Sequence, residues 1–210
     1  MPEKVLGAGT NFLVKGEAEN TVPLFLSALE AGDTDGVFEN DEMPAMTQSP
    51  IPRFDLMPRG DYAGVTIQTS RGCPFDCEFC DVVALYGRKH RYKTPDQVIK
   101  ELEAVYNLGW RHELFISDDN FIGSKKHARA ILEKLIQWMQ ENDEPFNFIT
   151  QISVNLGQDQ EMIDMMTEAN FSYVIAGIES PDTDVLARAG KHQNIRYPLA
   201  ESIKNIRTTV

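Results

Sequence analysis

Two consecutive stretches decide how this chain is read: Ala63-Gly64-Val65-Thr66-Ile67-Gln68-Thr69, and then Gly72-Cys73-Pro74-Phe75-Asp76-Cys77-Glu78-Phe79-Cys80-Asp81. The first reads as a strand, and the second is a loop that follows it directly. That loop holds every cysteine of the chain, Cys73, Cys77 and Cys80, spaced C-x3-C-x2-C. Three thiolates so close in sequence can ligate one compact metal centre and leave one coordination position that sulfur does not fill. Soft thiolates select iron–sulfur clusters, zinc or copper(I). Structural zinc usually takes C-x2-C pairs from two separate segments and closes all four positions. The spacing therefore favours a cluster with an open corner where a small molecule can bind. A zinc knuckle or inert packing remains the alternative.

Downstream, strands and helices alternate. Thr94-Pro95-Asp96-Gln97 starts a helix with Thr94 as N-cap, proline at the first position and a capping-box glutamine. Val98, Leu102 and Val105 form its apolar stripe, and Gly109 closes it. Glu113 to Ser117 is a second strand. Ser124 caps a second helix whose apolar face is Ala128, Ile131, Leu135 and Met139. Phe146 to Val154 is a third strand, followed by a helix from Asp159 to about Ala169. Phe171 to Ile178 is a fourth strand. Ser180-Pro181-Asp182 opens a helix closed by Gly190, and Ile195, Leu199, Ile203 and Ile206 mark another. Successive strand–helix units predict an α/β fold with a parallel sheet and helical crossovers. Such sheets bind ligands at the carboxyl ends of their strands, where the cysteine loop falls.

Upstream the pattern is thinner. Residues 11–16 read as a short apolar segment, and Thr21-Val22-Pro23 opens a helix from Leu24 to Ala31 that ends on Gly32. One strand and one helix cannot bury a core alone. Residues 1–38 are thus read as the remnant of an N-terminal domain, 39–58 as a proline-broken linker, and 59–210 as the core. The chain stops at Val210, about where a fifth strand would begin, so truncation at both ends is expected.

Among 210 residues the net charge is −12, with 42% hydrophobic and 25% charged residues. That is an ordinary soluble balance. No apolar run approaches the roughly 20 residues that span a bilayer, and Met1 to Gly9 lacks a signal-peptide pattern. Clustered cysteines in odd number point to a reducing compartment, read as cytoplasmic. The acidic balance gives no strong nucleic-acid signal. The one dense basic stretch, Arg88-Lys89-His90-Arg91-Tyr92-Lys93, is read as a solvated loop. His90, His112, His127 and His192 are read as surface or capping residues.

The residues from 72 to 81 resemble the cluster loop of the radical S-adenosylmethionine superfamily, including an aromatic residue, Phe79, just before the last cysteine. The resemblance covers residues from about 55 to 210. Three further pieces resemble the branch with a cobalamin-binding domain before the radical domain, the hopanoid methylase-like proteins. They are Pro52-Arg53-Phe54-Asp55, the segment from Phe115 to Gly123, and Gly177-Ile178-Glu179-Ser180-Pro181 with Gly190-Lys191-His192-Gln193-Asn194. The resemblance implies a partial (βα) barrel of about four of six units and a 4Fe-4S cluster on Cys73, Cys77 and Cys80. It also implies S-adenosyl-L-methionine bound at the open iron and cleaved reductively to a 5′-deoxyadenosyl radical. A one-electron donor such as flavodoxin or ferredoxin, and a small-molecule or lipid substrate, follow from it too. It makes residues 1–38 the C-terminal remnant of a cobalamin-binding domain, and the reaction it suggests is cobalamin-dependent methyl transfer to an unactivated carbon, although the loop Asp-x-His-x-x-Gly is absent from this chain.

Three places on the strand ends are read as cofactor contacts, beside Phe79 on the cluster loop. Asp118-Asp119-Asn120 ends strand two, where a carboxylate could accept hydrogen bonds from the cofactor's ammonium; an Asp/Asn turn is the plain alternative. Gln151 and Ser153 end strand three on one face, or simply fill the barrel mouth. Glu179 ends strand four, as a cofactor contact or as a charge at a helix N-terminus. A radical enzyme without cobalamin, and a non-catalytic metal-binding or electron-transfer module, are the competing functions.

Overall fold

A computed structural model describes residues 9–58 and 62–207, and it divides at Ser49/Pro50 into two compact units. The first contains β1 (Phe12–Lys15), α1 (Ala18–Ala31) and β2 (Gly36–Glu39), with β1 and β2 paired in parallel. β2 supplies the partner strand that the sequence reading left out, so this unit is a small βαβ motif. Its apolar contact is aromatic: Phe25 packs edge-on against Phe12 and Phe38, with ring centroids 5.3 and 5.8 Å apart. α1 begins at Ala18 rather than Leu24 and carries Pro23 inside it. Proline there removes one helical N–H, and Leu24 and Leu29 are exposed. Gly32, at φ +89°, closes the helix as expected. The boundary between units falls within the stretch read as a linker, because Glu42 and Ser49 bond back to α1 through Asn20 and Glu19.

In the second unit the order is β3 (Val65–Ile67), β4 (Ser70–Arg71), α2 (Val82–Tyr86), β5 (Arg91–Tyr92), α3 (Pro95–Asn107), β6 (Glu113–Ile116), α4 (Lys125–Glu141), β7 (Asn147–Ile152), α5 (Gln160–Glu168), β8 (Phe171–Ala176), α6 (Thr183–Arg188) and α7 (Leu199–Arg207). Strands β3, β6, β7 and β8 lie side by side in that order, all parallel. This is the α/β parallel sheet the alternation predicts. Leu114 and Phe148 of the sheet join Leu102, Leu132, Leu135, Met139, Met162 and Met166 of the helices in one buried core. Each such side chain contributes roughly 1.5–3 kcal/mol on burial. Residues Thr66, Phe115, Ile149 and Tyr173 face one another in register across the sheet. Thr66 and Tyr173 of that row are exposed, so this is the open face.

Local chemistry sets the helix starts. Thr94 and Gln97 form the reciprocal capping box of α3, with Pro95 at its first position. The Ser124 hydroxyl caps α4. Asp159 caps α5 while binding Lys125 and Arg129 of α4 at 2.7 and 2.8 Å. β7 ends at Ile152 rather than Val154, because the chain turns at once into a 3-10 segment, Val154–Gln158.

The basic stretch does not behave as a solvated loop throughout. Arg91 and Lys93 are buried, since β5 pairs antiparallel with β4 and the Lys93 ammonium donates to Glu101 at 2.6 Å. His90 and His127 are not surface residues either: the Tyr92 ring packs against both imidazoles, at 4.7 and 4.1 Å between centroids. Among the described residues no helix is long and apolar enough to cross a membrane.

Candidate active site

The cysteine loop leaves the sheet at the carboxyl end of β3, and its base is pinned by strand β6. Asp118 is fully buried, and its carboxylate accepts four hydrogen bonds: from the backbone N–H groups of Thr69 and Ser70 at 2.7 and 3.0 Å and from both their hydroxyls. Burial pushes this carboxyl up, and those four donors pull it back. The next carboxylate, Asp119, accepts the Gly72 N–H at 2.9 Å. Burial raises it too, against the pull of that N–H and of Arg71. Gly72 itself sits at φ +85°, and a β-carbon there would stand 2.9 Å from the Gly87 carbonyl oxygen. The loop thus folds back under the end of α2 only because position 72 is glycine.

A cavity of about 270 Å³ opens at this sheet edge, bordered by Cys73, Cys77, Cys80, Phe75, Phe79, Asp119, Asn120, Gln151, Ser153, Glu179, Lys191 and Gln193. All three cysteines and six of the seven expected cofactor residues border it. The exception is Asp118, which lies in the hydrogen-bonded turn between β3 and β4 and not in the lining. Asn120 is buried and donates to the Ser153 hydroxyl at 3.1 Å. Gln151 is exposed on the open face of β7. Phe79 is 56% exposed, with the Lys191 ammonium 5.5 Å from its ring centroid. Glu179 holds φ +64°, uncommon for a side chain with a β-carbon, and accepts from Lys191 at 2.6 Å.

Lys191 and Gln193 also border the cavity, and the sequence reading did not single them out. They follow α6 in a segment tied firmly to the cysteine loop. The Glu78 N–H donates to the Ala189 carbonyl at 2.9 Å, and a β-carbon at Gly190 would stand 2.6 Å from the Asp76 oxygen. The signal lay in Gly190-Lys191-His192-Gln193-Asn194, read above as a motif without individual roles.

The donor set fits an iron–sulfur centre. Three thiols, each partly buried, share one cavity with amides, a hydroxyl, two carboxylates and the Lys191 ammonium. As placed, no group of three or more His, Cys, Asp or Glu side chains among the described residues could hold a metal ion, so the fit rests on the kind of donors present. Burial pushes the Cys73 thiol up, opposed by the Phe75 backbone and Asn120. A bound metal reverses that preference, because a coordinating thiol is deprotonated outright.

Comparison with known proteins bears on the family and the fold. The chain is 47% identical over 98% of its length to an uncharacterized methyltransferase of Synechocystis sp., and 36% identical over 81% of its length to the hopanoid C-2 methylase of Rhodopseudomonas palustris. It spans 38% and 32% of those proteins, about a third of each. The fold matches that of OxsB, a cobalamin-dependent S-adenosylmethionine radical enzyme solved with aqua-cobalamin and S-adenosylmethionine, at a TM-score of 0.70 and 19% identity. That match covers 91% of this chain and 31% of OxsB. The model of the radical SAM superfamily matches residues 67–208, most of the second unit and the whole cysteine loop. This chain belongs to the radical SAM superfamily.

Proposed function

We propose that the chain forms the S-adenosylmethionine-cleaving part of an iron–sulfur methyltransferase. The observation that carries this reading is that Cys73, Cys77 and Cys80 border the same cavity as Asp119, Asn120, Gln151, Ser153 and Glu179, at the carboxyl ends of parallel strands. Cys73, Cys77 and Cys80 hold three corners of a 4Fe-4S cluster. When bound, that cluster supplies the electron that breaks the cofactor's sulfonium bond. Asp119 and Glu179 present carboxylate oxygens to the cofactor's ammonium, and Lys191 presents the balancing positive charge to its carboxylate. Gln151 and Ser153 offer neutral hydrogen bonds to the sugar. Phe79 screens the cysteine side of the cavity from water.

The finer reaction is methyl transfer to an unactivated carbon of a small or lipid-like molecule, with cobalamin as methyl carrier and a flavodoxin- or ferredoxin-type electron source. Similarity to a hopanoid methylase and the fold shared with a cobalamin-dependent enzyme support it. The test is anaerobic reconstitution of the chain with iron and sulfide, then incubation with S-adenosylmethionine and dithionite. Four irons per chain and release of 5′-deoxyadenosine are expected. A colourless protein holding one tetrahedral zinc would overturn the reading.

A further inference from the structure

The Gln193 side-chain amide donates to Cys77 Sγ at 3.4 Å, joining residues 116 apart in sequence. We propose that Gln193 is a positioning residue that sets the reduction potential of the iron–sulfur centre through this bond. The inference rests on reading the three cysteines as cluster ligands, and it adds a role that the ligand set does not require.

The bond is built into the fold. Gln193 sits on the 3-10 turn His192–Asn194. Asn194, buried, donates to the Gly177 and Ile178 carbonyls at 2.9 and 3.1 Å, fixing the turn to the end of β8. On the preceding side Glu78 bonds to Ala189, and Gly190 admits the Asp76 carbonyl where no β-carbon would fit. Both the donor and the acceptor are therefore held by contacts outside their own side chains, which keeps the amide aimed at the sulfur. Gln193 is also partly buried and borders the cavity, so water competes poorly for its N–H.

The physical consequence follows from charge. Reduction adds one electron from an external one-electron donor and breaks no bond in the protein. The added negative charge is shared by the ligand sulfurs, so an N–H dipole aimed at one of them stabilises the reduced state more than the oxidised one. A glutamine does this without adding a charge. A leucine removes the dipole, and a glutamate replaces the donor with a like charge at the same reach.

The chain, Gln193→Leu and Gln193→Glu are reconstituted anaerobically, and their midpoint potentials are read by EPR-monitored titration with dithionite. At equal iron content, Gln193→Leu is expected to shift the reduced-to-oxidised ratio at fixed potential about tenfold toward oxidised, the scale of one hydrogen bond to a charged group. For a one-electron couple that is about 59 mV lower. Gln193→Glu should fall further. Unchanged potentials in both variants overturn the proposal. Gln193→Met, which keeps the length of the side chain but not its N–H, should match Gln193→Leu. If none of the variants takes up iron, Gln193 is needed to assemble the centre rather than to tune it, and the proposal is overturned. An unsubstituted chain that fails to gather four irons refutes the cluster reading itself and is recognised before any variant is made.

Discussion

Glu179 Oε1 lies 2.6 Å from Lys191 Nζ, and a β-carbon on Gly177 would stand 2.5 Å from the first atom and 2.6 Å from the second. The ion pair closes across the one residue at the end of β8 that has no side chain. Gly177→Ala should therefore push the pair apart. Overpacking of this kind costs about 1–3 kcal/mol, but the ion pair is displaceable side chain, so the low end is expected. The larger effect should appear in cofactor binding: S-adenosylmethionine affinity should fall by more than the stability loss of about 1 kcal/mol read from the urea midpoint. Calorimetric titration beside a denaturation curve checks this, and equal affinity would remove the pair from the site.

Asp118 makes a different prediction from its neighbours, although sequence alone grouped it with them. Removing its carboxylate strands two backbone N–H groups and two hydroxyls in a buried turn. Each orphaned donor costs about 1–3 kcal/mol, so Asp118→Ala should lose at least about 3 kcal/mol in urea unfolding. Asp118→Asn keeps one acceptor oxygen and should lose about half as much. Asp119→Ala, by contrast, strands a single part-buried donor, the Gly72 N–H, so it should lose only about 1 kcal/mol and impair the cavity's function. Equal destabilisation by Asp118→Ala and Asp119→Ala would contradict the division of labour.

What the sequence revealed and what it hid divide along element length and local chemistry. Helix α3 announced itself through Thr94, Pro95 and Gln97, and α4 through the spacing of Ala128, Ile131, Leu135 and Met139, because caps and periodic stripes are local. The cysteine loop was legible because thiol spacing is rare and chemically narrow. Strands β4 and β5 were not, since two residues each carry no period, and their pairing buried Arg91 and Lys93 against the expectation for charges. Likewise, the partners of Asp118 and Cys77 lie 48, 49 and 116 residues away. No window of sequence contains both ends of such a bond. Pro23 misled in the other direction: a residue that usually opens helices stands inside one here.

The Lys93–Glu101 pair has side chains only 5% and 3% exposed. Burial raises the Glu101 carboxyl, and Lys93 opposes that rise. Cutting one partner leaves a buried, unmatched charge, so Lys93→Met should cost about 3–5 kcal/mol. Lys93→Met with Glu101→Leu should recover most of that loss, because two apolar groups need no partner. A double-mutant cycle in urea measures the coupling, and additive losses would mean that the pair is solvated in solution.

Acid sensitivity should trace to His90. Its ring is held at about 4, first by burial and then by the charge of His127, against an ordinary value near 6.5. Its Nε2 lies 2.9 Å from the Ser70 hydroxyl, and its ring stands on Tyr92 and under Gly123. The folded state therefore favours the neutral imidazole. For a base whose folded value is depressed, the stabilisation is complete above about pH 6.5 and is lost as pH falls through about 4. After discounting for partial exposure, that loss is about 2 kcal/mol. Burial lowers His127 as well, so its contribution has the same sign. His90→Gln should shift stability by a constant amount from lost packing and flatten the slope between pH 6.5 and 4. Unfolding curves taken at half-unit steps separate the two effects. Parallel slopes for the chain and the variant would assign its acid sensitivity to other groups.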